Sequence, residues 1–166
     1  MGRAWVFGDN VSTDHIIPGR YNITTDPKEL AKHVFEYTRP EFAKKVAAGD
    51  VVVAGGNFGC GSSREHAVIA LKECDVYVIA KTYGWIFKRN CVNNGLLPRQ
   101  FEGSTDITGI RDQDEVVLNQ VTNTLDDLTR NMSLSLRPIP RFLLEIQRAG
   151  SLMAYINTNK GYRKLR

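Results

Sequence analysis

The sequence predicts an α/β fold built on a βαβ core, and three observations carry that prediction. VVVAGG at 51–56 is a continuous apolar run closed by glycine, as expected of a strand buried on both faces. VYVIAKT at 76–82 is a second run of the same kind. Between them, residues 63–74 have helical spacing, with Ala67, Ile69, Ala70 and Leu71 available for packing. Strand, helix and strand joined by short links form a parallel pair with a crossover helix.

The other elements follow in order. Arg3 to Phe7 is rich in β-formers and reads as a short strand running into a long polar loop, GDNVSTDHIIPGRYNITTD. Ile16, Ile17, Tyr21 and Ile23 make that loop too apolar to be disordered, and ordered loops of such length are usually functional. Asp26-Pro27 marks a helix start, Asp as N-cap and Pro in the first turn, with KELAKHVFEY placing Leu30, Val34 and Phe35 on one face. WIFKRNCVNNG at 85–95 is a further helix stopped by Gly95. From Asp112 onward the chain reads as an antiparallel hairpin with its turn near Thr124 to Asp127, and PRFLLEIQRAG and SLMAYINTN read as closing helices. The 166 residues are expected to form one domain, with a basic tail over about 158–166.

Composition narrows the function classes. The chain is 42% hydrophobic and 24% charged, and no apolar run is long enough to cross a bilayer. The N-terminal MGRAWVFGDN lacks the apolar core of a signal peptide, so a cytoplasmic location is expected. Cys60, Cys74 and Cys91 are odd in number and widely spaced, which argues against a disulfide framework and against a metal or cluster site within this chain. The net charge of +4 is concentrated in GYRKLR at the end, without the basic and aromatic stripe of a nucleic-acid binder.

The segment GGNFGCGSSREHA at 55–67 lies between a buried strand and a helix, the place where α/β sheets bind ligands. Gly59 and Gly61 allow a sharp turn, and the free N–H groups of a helix start favour an anion. Arg64 stands where a dinucleotide fingerprint needs its third glycine, and no Gly-Lys-Ser/Thr completes a phosphate loop. The spacing of Ser62 and Glu65 fits a capping box. Arg64, however, is opposed by the helix dipole unless an anionic ligand sits beside it, and a carboxylate held by its guanidinium would remove that conflict.

STDHIIPGRY at 12–21, VVVAGGNFGCGSSREHA at 51–67 and IFKRNCVNNGLLP at 86–98 resemble the small subunits of the split isomerases of the aconitase superfamily, the 3-isopropylmalate dehydratase and homoaconitase small subunits. The resemblance covers nearly the whole chain. It implies a swivelling β/β/α domain of the aconitase C-terminal type and a partner, a large subunit carrying a [4Fe-4S] cluster, in a heterodimer or heterotetramer. This chain itself is expected to bind no cofactor. The implied reaction moves a hydroxyl between adjacent carbons of a malate-type di- or tricarboxylate by dehydration and rehydration, with Ser62 as the catalytic base. Ser63 and Arg64 match carboxylate-binding groups, Thr13 and Asp14 line the same cleft, and Gly59, Gly61, Glu65, His66 and His15 support it.

Substrate choice in the family is linked to the loop Gly19-Arg20-Tyr21-Asn22-Ile23-Thr24. An aliphatic residue at the place of Ile23 goes with isopropylmalate, and an arginine there goes with homoaconitate. Ile23 therefore points to isopropylmalate and leucine biosynthesis. Arg20 nearby keeps a second carboxylate in play, and Asn22 leaves room for citramalate. The non-enzymatic alternative is a carboxylate-binding regulatory module. Among the remaining residues, His15 is expected to be a structural hydrogen-bonding group, His66 a packing residue, His33 helix surface, and Cys60 a small residue between glycines.

Overall fold

The computed structural model describes residues 1–103 and 105–158. The chain opens with β1 (Gly2–Phe7), followed by α1 (Thr13–Ile16), a 3-10 turn at Gly19–Ile23, α2 (Pro27–Ala31) and α3 (Phe42–Lys45). The expected βαβ unit follows as β2 (Val51–Ala54), α4 (Glu65–Glu73) and β3 (Tyr77–Ala80), and then α5 (Trp85–Asn93) and β4 (Pro98–Gln100). Three further strands, β5 (Glu115–Asn119), β6 (Thr124–Asp127) and β7 (Met132–Ser135), precede α6 (Arg141–Ala149) and α7 (Leu152–Thr158). The basic tail assigned from the sequence lies, beyond Thr158, outside the described residues.

The sheet order is β4-β3-β2-β1-β5-β6-β7. β1 to β4 are parallel, with Val52 registered against Trp5 on one side and Val78 on the other. β5 runs antiparallel to β1 and continues into the antiparallel β6 and β7. The period-2 alternation of β2 divides two cores. Val52 and Ala54 join Trp5, Phe35, Phe42 and the buried faces of α4 and α5, whereas Val51 and Val53 join Ile79, Phe101, Val116, Leu125 and Leu134. The parallel strands are thus covered by helices on one face and by apolar side chains of β5 to β7 on the other, a β/β/α arrangement. Each large apolar side chain so enclosed contributes about 1.5–3 kcal/mol.

Three local expectations are corrected. The helix begun at Asp26 ends at Ala31 and does not run through 37: Phe35 takes a left-handed conformation with φ +56° and donates its N–H to Ile16 O at 2.8 Å. That break lets Phe35 pack against both Phe7 and Phe42, a gain the helical periodicity does not register. The expected hairpin is a three-stranded meander in which Thr124–Asp127 is itself a strand; left-handed Asn123 and Asn131 make the turns at its two ends. His33 is not helix surface. It stacks on Tyr21 with centroids 3.8 Å apart and hydrogen-bonds Glu36 at 3.1 Å.

A buried acidic pair fastens the meander. Asp114 accepts from the Arg111 N–H at 2.8 Å and pairs with Arg130 Nε at 2.7 Å. Asp127 Oδ1 accepts from the Arg130 N–H at 3.0 Å, while Oδ2 is enclosed without a donor among the described residues. Burial pushes the Asp127 pKa up, and the neighbouring Asp114 carboxylate adds to the rise. Because the folded state holds this proton more tightly, its contribution is complete below the ordinary aspartate pKa and is lost as pH rises through the raised value. Asp127→Asn keeps the Oδ1 acceptor and removes the ionisation. Its unfolding midpoint is expected to exceed the parent's by about 2–4 °C at neutral pH, roughly 1 kcal/mol, with the difference closing in acid. Thermal unfolding across pH checks this, and a variant less stable at every pH would contradict it.

Candidate active site at the glycine loop

The loop 55–64 leaves the carboxyl end of β2 and lies between the segment after β1 and the turn after β3. Gly56 donates its N–H to Asp9 Oδ1 at 2.6 Å, Gly59 to Val11 O at 2.7 Å, and Phe58 to Thr82 O at 3.0 Å. Thr13 fastens the far end twice, through its N–H to Cys60 O at 2.9 Å and its hydroxyl to Ser62 O at 2.9 Å. Gly59 has φ +74°, and a Cβ there would stand 2.1 Å from Phe87 Cγ, so the close approach of loop and α5 requires glycine. Gly61, at φ +88°, follows Asn57 and Gly59 as the third left-handed residue of the loop and delivers the two serines to the surface.

The capping box expected at Ser62 is absent. Arg64 is the N-cap of α4 and makes no side-chain cap bond, and Glu65 instead accepts from Asn94 Nδ2 at 2.8 Å. A capping box exists at α1, where Ser12 Oγ accepts from the His15 N–H at 3.2 Å and His15 Nδ1 accepts from the Ser12 N–H at 3.1 Å. His15 is thus held as a hydrogen-bonding member of the α1 cap. The consequence for Ser62 is chemical: its hydroxyl, like that of Ser63, is exposed and has no hydrogen-bond partner among the described residues.

Arg64 is the most constrained member of the group, its side chain only 17% exposed. Nη1 pairs with the Asp14 carboxylate and donates to Ile17 O at 3.3 Å. Gly19 leaves the space beside it, since a Cβ there would lie 3.2 Å from Nη2. Asp14 thus supplies the negative charge that the sequence reading assigned to a ligand, and the uncapped N–H groups of α4 remain to favour an anion in front of the loop. Thr13, Asp14, Ser62, Ser63 and Arg64 are thereby brought together. His66 is half-buried in the first turn of α4 and has no hydrogen bond among the described residues.

The loop 19–24 stands beside them. Arg20 pairs with Glu36, bonds the Tyr21 and Tyr37 hydroxyls, and lies over both rings at 4.9 and 5.0 Å. The hydrogen bond between Tyr21 and Glu36, 2.7 Å long, raises the pKa of the phenol and lowers that of the carboxylate. Ile23, by contrast, is 94% exposed. Sequence reasoning missed Asp9 and Trp85, the latter an exposed indole at a cleft lined also by Cys60, Gly61 and Tyr83. Their only signals were single residues in the stretches GDN and YGW.

The three cysteines are free. Burial pushes the Cys74 thiol up to about 12, and the Cys91 thiol is raised by the same cause. Among the described residues no group of three or more His, Cys, Asp or Glu side chains is placed to hold a metal, and no helix is long and apolar enough to cross a membrane.

A glycine loop with uncapped serines at the carboxyl end of a buried parallel strand, set in a β/β/α sandwich, defines an aconitase C-terminal-type swivel domain. The family model for the aconitase C-terminal domain matches residues 10–104. 3-Isopropylmalate dehydratase small subunit 1 of Archaeoglobus fulgidus is 49% identical over 156 residues, covering 93% of this chain and 95% of that protein. The small subunit of Methanosarcina acetivorans is 50% identical over 155 residues, covering 93% and 94%. The crystal structure of 3-isopropylmalate dehydratase from Methanocaldococcus jannaschii matches with a TM-score of 0.88 at 43% identity, over 99% of this chain and 96% of that one. The chain belongs to the aconitase C-terminal domain family, among the 3-isopropylmalate dehydratase small subunits.

Proposed function

We propose that this chain is the small subunit of a cytoplasmic hydro-lyase that interconverts 2- and 3-isopropylmalate through isopropylmaleate, acting as one swivel domain against a large subunit. The observation that carries the reading is the free Ser62 hydroxyl two residues from an arginine already fixed by Asp14. Arg64 and Ser63 hold a substrate carboxylate, and Thr13 and Asp14 position the loop and the guanidinium. Ser62 takes the carbon-bound proton in dehydration and returns it in rehydration. A serine hydroxyl is too weak a base in water, so its alkoxide depends on the helix start, the arginine and exclusion of solvent. Ser62 is exposed here, which fits a site completed only when a large subunit closes over it. That subunit is assigned the [4Fe-4S] cluster, whose chemistry when bound is polarisation of the leaving hydroxyl.

Ile23 selects the isopropyl group. Its side chain is exposed and unengaged, as is that of Asn22, whereas Arg20, the alternative partner for a further carboxylate, is occupied by Glu36 and two tyrosines. An aliphatic contact discriminates by about 1–3 kcal/mol, and an unpaired carboxylate against it costs more. Ile23→Arg in the assembled enzyme is expected to shift the kcat/KM ratio toward cis-homoaconitate over isopropylmaleate by at least about tenfold. An unchanged ratio would remove this loop as the selector. A chain that binds dicarboxylate tightly alone and never associates with a cluster-bearing subunit would instead be a regulatory module.

A further inference from the structure

The parallel strands have a second feature at the end opposite the glycine loop. Where β3 and β4 begin, Val76, Leu96, Leu97, Leu118, Ile139 and Leu144 line a cavity of about 240 Å³. Arg99, on the edge strand β4 and registered beside the fully buried Ile79, also lines it and is only 5% exposed. Its one side-chain hydrogen bond among the described residues runs from Nη2 to Asn123 Oδ1 at 2.9 Å, and neither the enclosed Nε nor Nη1 has a partner among them. Burial disfavours its charge, and no carboxylate among the described residues offsets this. Lys72, a second cation in the lining, already spends its ammonium on Asn94 O and Gly150 O, both at 2.7 Å. Asp75 is the one carboxylate of the lining and makes no ion pair with Arg99.

A buried guanidinium without a counter-charge is costly, and a planar carboxylate is the group its fork of donors fits. We propose that this cavity binds a small aliphatic monocarboxylate, with the carboxylate on Arg99 and a branched chain among Leu96, Leu97, Leu118 and Leu144. The volume lies below that of drug-sized sites and suits an acid of about six carbons. Amide resonances of the full chain report the test, with 4-methylpentanoate titrated against its neutral isostere 4-methylpentanamide. Saturable shifts are expected around Leu97, Leu118 and Gln120, with the amide binding at least about tenfold more weakly and Arg99→Met losing at least about tenfold. Equal binding of acid and amide, shifts confined to Ser62–Arg64, or undiminished binding by Arg99→Met would each overturn the proposal. The acid–amide comparison uses the parent chain and decides the matter even where the variant fails to fold.

Discussion

Ser62→Ala, assembled with the large subunit, is expected to turn over about 10²–10⁴-fold more slowly with KM little changed, as for loss of a positioned proton-transfer group. The prediction is sharp because Ser62 has little structural work to do through its side chain. The residue contributes its carbonyl to Thr13, a bond alanine retains, and its hydroxyl is exposed and unpartnered. The melting temperature of the variant should therefore match the parent's. Steady-state hydration kinetics beside thermal unfolding check both halves. Normal turnover by a well-folded Ser62→Ala enzyme would mean that the base lies elsewhere.

Arg64→Lys should lower kcat/KM by about 10²-fold while leaving the charge in place. The guanidinium meets Asp14 and Ile17 O through Nη1, with Gly19 making room beside Nη2. An ammonium cannot present parallel donors to a substrate carboxylate while holding those contacts, so positioning is lost along with the second hydrogen bond. Burial of the stem makes a fold defect the competing explanation, and the lysine substitution limits it by preserving the cation. The effect should appear for the substrate and for a non-reacting dicarboxylate inhibitor alike. An inhibitor constant that does not move while kcat falls would place Arg64 in the chemical step and not in binding.

The parts of the fold that were legible in the sequence are those whose burial is uniform along an element. β2 and β3, enclosed on both faces, read directly as apolar runs, and α4 between them follows from spacing alone. The failures share a cause: tertiary contacts outweighed local pattern. Phe35 leaves the helical register to fill the space between Phe7 and Phe42, and β4, with a proline and a buried arginine in three residues, lacks any strand pattern. At the site, glycine and serine chemistry marked the loop, but the capping-box pattern pointed to Ser62 and Glu65, whereas the box forms between Ser12 and His15, a pair the pattern does not include. The carboxylate that relieves Arg64 of the helix dipole, Asp14, lies fifty residues away and left no mark beside it in the sequence.

The most direct test of the central claim is the anaerobic loss of alkene absorbance when the chain, assembled with its large subunit, is offered isopropylmaleate, citraconate and cis-homoaconitate. The highest kcat/KM is predicted for isopropylmaleate, in keeping with the free Ile23 and the occupied Arg20. Preference for cis-homoaconitate would contradict it, showing that Arg20 leaves Glu36 to meet the longer acid, or that the large subunit overrides the aliphatic loop.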